Sequence, residues 1–97
     1  MIFCEEKSNS KMTWRQLIKR EMSYFGESFN DIISERCDEV NWLDIEFDNG
    51  YGLTEGPSFT VWTENRVYFP VQYDGSEWCG SVPRHPCYEV VRHIGSG

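Results

Sequence analysis

No apolar run in this 97-residue chain reaches even ten residues, so no segment is long enough to cross a bilayer as a helix. The first residues, Met1-Ile2-Phe3-Cys4-Glu5-Glu6-Lys7, carry acids where an export signal needs positive charge, which predicts a cytoplasmic protein. Bases are scarce: nine Lys and Arg stand against sixteen Asp and Glu, a formal charge of -7. A surface of that sign repels a phosphate backbone, so direct nucleic-acid binding is not expected and the expected partner is a basic protein. Nothing resembles a phosphate-binding Walker loop, a dinucleotide glycine pattern or a nucleophile elbow, and no enzymatic activity is expected.

The residues that bind metals are present but badly spaced. The four cysteines, Cys4, Cys37, Cys79 and Cys87, include no Cys-x-x-Cys pair, and in a reducing cytosol they are expected to be free thiols. Two thiols and two imidazoles, Cys79, His85, Cys87 and His93, suit tetrahedral zinc by type, but His85 is wedged between Arg84 and Pro86. Asp48-Asn49-Gly50 opens like a calcium loop, yet the acid required six residues after the glycine is Gly56. No metal or cofactor is therefore expected. Asp44 and Glu46 would share a strand face as an acid and base pair, but no neighbouring His, Lys or Tyr pattern would set their protonation apart.

What the chain does have is a supply of apolar and aromatic side chains, 39% and 15%, sufficient for one core and too small for two. Residues 1–11 read as a peripheral segment, 12–94 as a single domain and 95–97 as a flexible tail. Thr13-Trp14-Arg15-Gln16 has the form of a capping box, and Trp14, Leu17, Ile18 and Met22 make one apolar stripe, predicting a helix over 13–24 that Gly26 ends. Phe29, Ile32 and Ile33 repeat the spacing and predict a second short helix over 29–36. From Asn41 the period changes. Alternating residues predict a strand over 41–48, a hairpin of strands 58–63 and 66–72 across Glu64-Asn65, and a last strand over 77–82. Pro70 lacks an N–H, so its strand must leave that side unpaired or bulge there. The expected fold is α+β: one or two N-terminal helices packed on a four-stranded antiparallel meander.

Charge is unevenly placed. Residues 27–55 hold nine acids against the single base Arg36, a local charge of -8, while the remainder of the chain is nearly balanced. One reading is a solvated surface that keeps the domain soluble. The sharper one is a row of carboxylates that imitates nucleic-acid phosphates and occupies a basic groove on a partner. On that reading Glu35, Asp38, Glu39, Asp44, Glu46, Asp48 and Glu55 make the contact, with Trp62 and Tyr68 added if the meander turns them outward.

The run Met12-Thr13-Trp14 with Leu17-Ile18-Lys19, then Asp48 to Gly56, Phe59-Thr60-Val61-Trp62-Thr63, Val67-Tyr68-Phe69-Pro70 and Tyr73 to Trp78, resembles small acidic proteins encoded by bacteriophages and prophages, over about residues 12–86. Proteins of that type include anti-CRISPR inhibitors. The resemblance implies a non-catalytic inhibitor that acts in the host cytoplasm on a Cas or other nucleic-acid-binding defence protein. An immunity protein or antitoxin that neutralises a basic toxin is the alternative, and a small metal-dependent enzyme the outlier.

Overall fold

The computed structural model describes residues 11–48, 56–73 and 76–93. The capping box forms as the sequence predicts. The Thr13 hydroxyl accepts from Gln16 N–H at 3.2 Å, and Thr13 N–H donates to Gln16 Oε1 at 3.0 Å, starting helix α1 at Trp14–Tyr24. The stripe Trp14, Leu17, Ile18 and Met22 is buried along its whole length. Past the helix Gly26 sits at φ 71, a conformation glycine adopts without steric penalty, and the turned chain lets Glu27 N–H donate to Met22 O at 3.0 Å.

The described residues also form six strands: β1 (Lys11–Met12), β2 (Ile32–Cys37), β3 (Phe47–Asp48), β4 (Phe59–Thr63), β5 (Arg66–Tyr73) and β6 (Ser76–Pro83). Strands β2, β4, β5 and β6 pair antiparallel in that order as a four-stranded sheet, and β1 pairs antiparallel with β3 in a two-stranded ribbon. The helix lies on one face of the larger sheet. This is the expected α+β architecture, with a first strand that comes from a different part of the sequence.

The sequence predicts a helix over 29–36, but from Ile32 onward the chain forms strand β2 (Ile32–Cys37) at the sheet edge. The helical spacing of Phe29, Ile32 and Ile33 is coincidental. Phe29 lies in a 3-10 turn (Phe29–Asp31), capped by Ser28 and closed by Asp31, and the adjacent β-branched pair favours extended backbone. A register shift between Ile32 and Ser34 leaves Ile33 exposed in a bulge. The stretch 41–48, expected as a strand, is interrupted at its start. Asn41 adopts φ 60, and Trp42–Asp44 is a 3-10 turn closed by Asp44 N–H on Asn41 O at 3.0 Å. Two adjacent apolar residues, Trp42 and Leu43, already broke the alternation. Only Phe47–Asp48 remains as strand, and its partner is β1, so Lys11, taken as peripheral, is part of the ribbon.

The hairpin between β4 and β5 falls where the sequence predicts, but Asn65 is not at positive φ. Instead the Thr63 hydroxyl closes the turn by accepting from Asn65 N–H at 3.3 Å and Arg66 N–H at 3.0 Å. Pro70 pairs with Cys79 of β6 and lies beyond the β4 ladder, which ends with Val61 opposite Tyr68, so its missing N–H disturbs no bond to β4.

The core joins α1 to the inner face of the sheet. Trp14 sits between Phe47 and Phe59, with ring centroids at 4.9 and 4.8 Å, and Trp42 stacks on Phe59 at 4.9 Å. The Trp14 indole N–H, fully buried in this cluster, donates to Pro57 O at 2.9 Å. Gly56 passes so close that a Cβ there would stand 2.8 Å from Phe47 Cζ and 2.9 Å from Trp14 Nε1. Gly56→Ala is therefore expected to destabilise the fold by about 1–3 kcal/mol through overpacking. Gly26→Ala meets open space and is expected to lose only about 1 kcal/mol, from its backbone conformation alone. Urea denaturation of both variants checks the order, and a neutral Gly56→Ala would show that the aromatic cluster is looser than described.

Candidate functional site

Two groups of polar residues stand out. The first is the acidic edge. Strand β2 is an outer strand of the sheet, and Glu35, opposite Val61, lies on the helix side of it but is exposed. Asp38 and Glu39 follow in the turn that leaves β2, and Glu46 lies just before β3; all are exposed. None of these four carboxylates has an ion-pair partner among the described residues. Asp44 is different. Arg15 of α1 holds it with two bonds, Nε to Oδ1 at 2.8 Å and Nη2 to Oδ2 at 3.0 Å, and this partner keeps its carboxyl below the ordinary range. Asp44 thus anchors the 3-10 turn to the helix, and its charge is already matched. The Asp48 side chain and Glu55 lie outside the described residues.

The two aromatic candidates separate. Trp62 faces away from α1, opposite Ser34 of β2, and is half-buried. Tyr68 is fully buried on the helix side, so it cannot contribute to a surface contact. Alternation along a strand decides this: Tyr68 pairs with Val61, which is in the core, while Trp62 is one residue removed from Val61 and points the other way.

The second group is a cluster under the C-terminal end of α1 that the sequence reading did not assemble. Tyr68 donates its phenolic hydroxyl to Glu27 Oε1 at 2.6 Å, and the Thr63 hydroxyl donates to the same carboxylate at 3.0 Å. Burial, reinforced by the Glu27 carboxylate, pushes the Tyr68 phenol far above its ordinary range. Beside it Arg66, 6% exposed, lies over the Phe25 ring with its guanidinium carbon 3.5 Å from the centroid. Arg66 Nε donates to Ser81 Oγ at 3.0 Å, and the Ser81 hydroxyl donates to Glu21 Oε2 at 2.9 Å. The two terminal nitrogens donate to Glu89, Nη1 to Oε1 at 2.7 Å and Nη2 to Oε2 at 3.0 Å. The signal for this cluster was the same alternation: once Tyr68 points inward, Arg66 two residues earlier must do so too, and a buried guanidinium requires carboxylates.

The four side chains that suit zinc by type, Cys79, His85, Cys87 and His93, are placed separately. Cys79 is buried and its thiol is pushed well above the ordinary range by burial, with the Glu21 charge adding to it. His85 Nε2 lies 3.2 Å from Glu64 O, while Cys87 and His93 are exposed. Among the described residues no three His, Cys, Asp or Glu side chains are arranged to hold a metal ion, and no helix is long and apolar enough to cross a membrane. No protein family, curated protein or solved structure matches this chain.

Two glutamates that bind this cluster are shifted in opposite directions. Arg66 lowers Glu89, so the stability from that pair is complete above the ordinary glutamate value and is lost as pH falls below it. Burial raises Glu21, so stability is lost from that site as pH rises from the ordinary value through the raised one. Glu21→Gln, which can still accept from Ser81, is therefore expected to compare more favourably with the wild type at pH 7 than at pH 3, as read by urea midpoints. Tyr68→Phe removes a hydroxyl that donates to a carboxylate and is expected to cost about 1.5–3 kcal/mol at neutral pH.

Proposed function

We propose that this chain is a non-catalytic binding protein that engages a basic, nucleic-acid-binding protein through the acidic edge formed by Glu35, Asp38, Glu39 and Glu46. The observation that carries the reading is that these four exposed carboxylates, on an outer strand and the turns that follow it, have no ion-pair partner among the described residues. A basic partner relieves the self-repulsion of such a group, and a groove built for phosphates presents basic side chains to it. The bulge at Ile33 also supports the reading, since it disfavours strand-to-strand pairing at this edge and leaves side-chain charge as the means of recognition.

The resemblance to small acidic phage proteins gives the reading its finer form: an inhibitor of a host defence protein, of the anti-CRISPR type, working in the host cytoplasm. An immunity protein or antitoxin against a basic toxin would use the same edge, and the identity of the captured partner separates the two.

Reversing Glu35, Asp38, Glu39 and Glu46 together to Lys, with Asp44 left in place to keep its bond to Arg15, is expected to slow association at least about tenfold at low salt. The difference shrinks as salt rises, because charge steering is screened over about 8 Å at physiological ionic strength. The immobilised wild type is expected to capture nucleic-acid-binding proteins from a bacterial lysate in a way that free DNA competes away. Capture of the same proteins by a folded charge-reversed variant would refute the acidic edge as the contact.

A further inference from the structure

The Arg66 guanidinium is held as a receptor would hold it. Its Nε end is fixed by Ser81, itself bound to Glu21, and its flat face lies on Phe25, so the side chain has no freedom left except at the two terminal nitrogens. Those nitrogens form a fork whose geometry matches one carboxylate. The carboxylate now filling it is Glu89, from the irregular segment 84–93 that follows β6.

That segment is weakly attached beyond its first residues. Arg84 is bound to the β4–β5 hairpin, through its N–H on Asn65 O at 2.9 Å and Nη1 on Thr63 O at 2.7 Å, and His85 approaches Glu64 O. Farther on, Tyr88 and Val90 on either side of Glu89 are largely exposed, and Val91 is 45% exposed. Next to the fork is a cavity of about 340 Å³, lined in part by Phe25, Pro83, His85 and Pro86. Glu27 also lines it.

We propose that the Arg66 fork is a carboxylate-binding site that the chain fills with its own Glu89, and that its external ligand is a monocarboxylate carried on an apolar or aromatic group. The fork supplies the bidentate contact, and Phe25, Pro83 and Pro86 supply the apolar wall beside it. Glu27 places a second negative charge in the cavity, which disfavours a dianion such as phosphate. Because Glu89 is tethered, it competes at an effective concentration that a free ligand must match, so the site behaves as closed until a sufficient concentration of carboxylate, or a partner that draws segment 84–93 away, opens it.

Phenylacetate, followed through the Arg66 Nε–H resonance, tests this with the full chain and its Glu89→Ala variant. Glu89→Ala leaves the buried Arg66 guanidinium without its bidentate partner and is expected to lose stability, so its amide spectrum is checked for the native fold before titration, and the exchange measurement on the wild type tests displacement of Glu89 without the variant. The expected result is saturable binding to Glu89→Ala, at least about tenfold tighter than to the wild type. Neutral phenylacetamide is expected to leave the resonance in place, and inorganic phosphate to bind more weakly than phenylacetate. In the wild type, phenylacetate should accelerate hydrogen exchange of the amides at 88–91 as Glu89 is displaced. Equal affinity in the two proteins, unchanged exchange at 88–91, or phosphate binding as well as phenylacetate would each overturn the proposal.

Discussion

The structure depends on the seating of Trp14. Among the described residues one α-helix covers the sheet, and that helix must be fixed at its start for its stripe to fall on the inner face. Trp14 is the first residue after the Thr13 cap, is fully buried, and touches the two-stranded ribbon through Phe47 and the larger sheet through Phe59. Its N–H on Pro57 O ties in the segment entering β4. One side chain therefore sets the position of helix, ribbon and sheet together. The price is paid at Gly56, where the rings leave no room for a Cβ.

The two ends of the helix are held by different physics. At the Trp14 end the contacts are aromatic and nearly free of polar atoms; at the other, Glu21 and Glu27 meet Arg66, Tyr68, Thr63 and Ser81 in a hydrogen-bonded cluster. Burying a guanidinium beside carboxylates contributes little net stability, but its geometry is exacting, so the cluster fixes orientation more than it adds energy. It also binds the segment after β6 to the body of the protein through Glu89.

Much of this was legible in the sequence, and the failures have identifiable causes. Helix α1 was, because its cap and its stripe agree. The hairpin and last strand were, because β-branched and aromatic runs are separated by short turns. Strand β2 was not: Phe29, Ile32 and Ile33 fit a helical period by chance, and six residues are too few for the period to be decisive. The segment from Asn41 misled in the opposite sense, since a 3-10 turn closed by a left-handed Asn mimics alternation over a few residues. The acidic residues were visible as a group, but sequence alone does not say that Asp44 is matched by Arg15 from 29 positions away while Glu35, Asp38, Glu39 and Glu46 are left unmatched. Long-range pairing of this kind, and the burial of Tyr68, required the fold.

The functional account rests on that division between matched and unmatched acids. Arg15 neutralises Asp44, which ties the 3-10 turn to the helix, whereas the charge on the outer edge serves no contact among the described residues. An exposed group of one sign that supports nothing internal is the physical basis for assigning it to a partner. The most direct measurement is a hydrogen-exchange footprint of the chain bound to a captured basic partner. The account predicts protection concentrated in β2 and residues 38–46, with residues 88–91 unaffected. Protection on the outward face of the sheet around Trp62, with residues 38–46 exchanging as in the free chain, would contradict it.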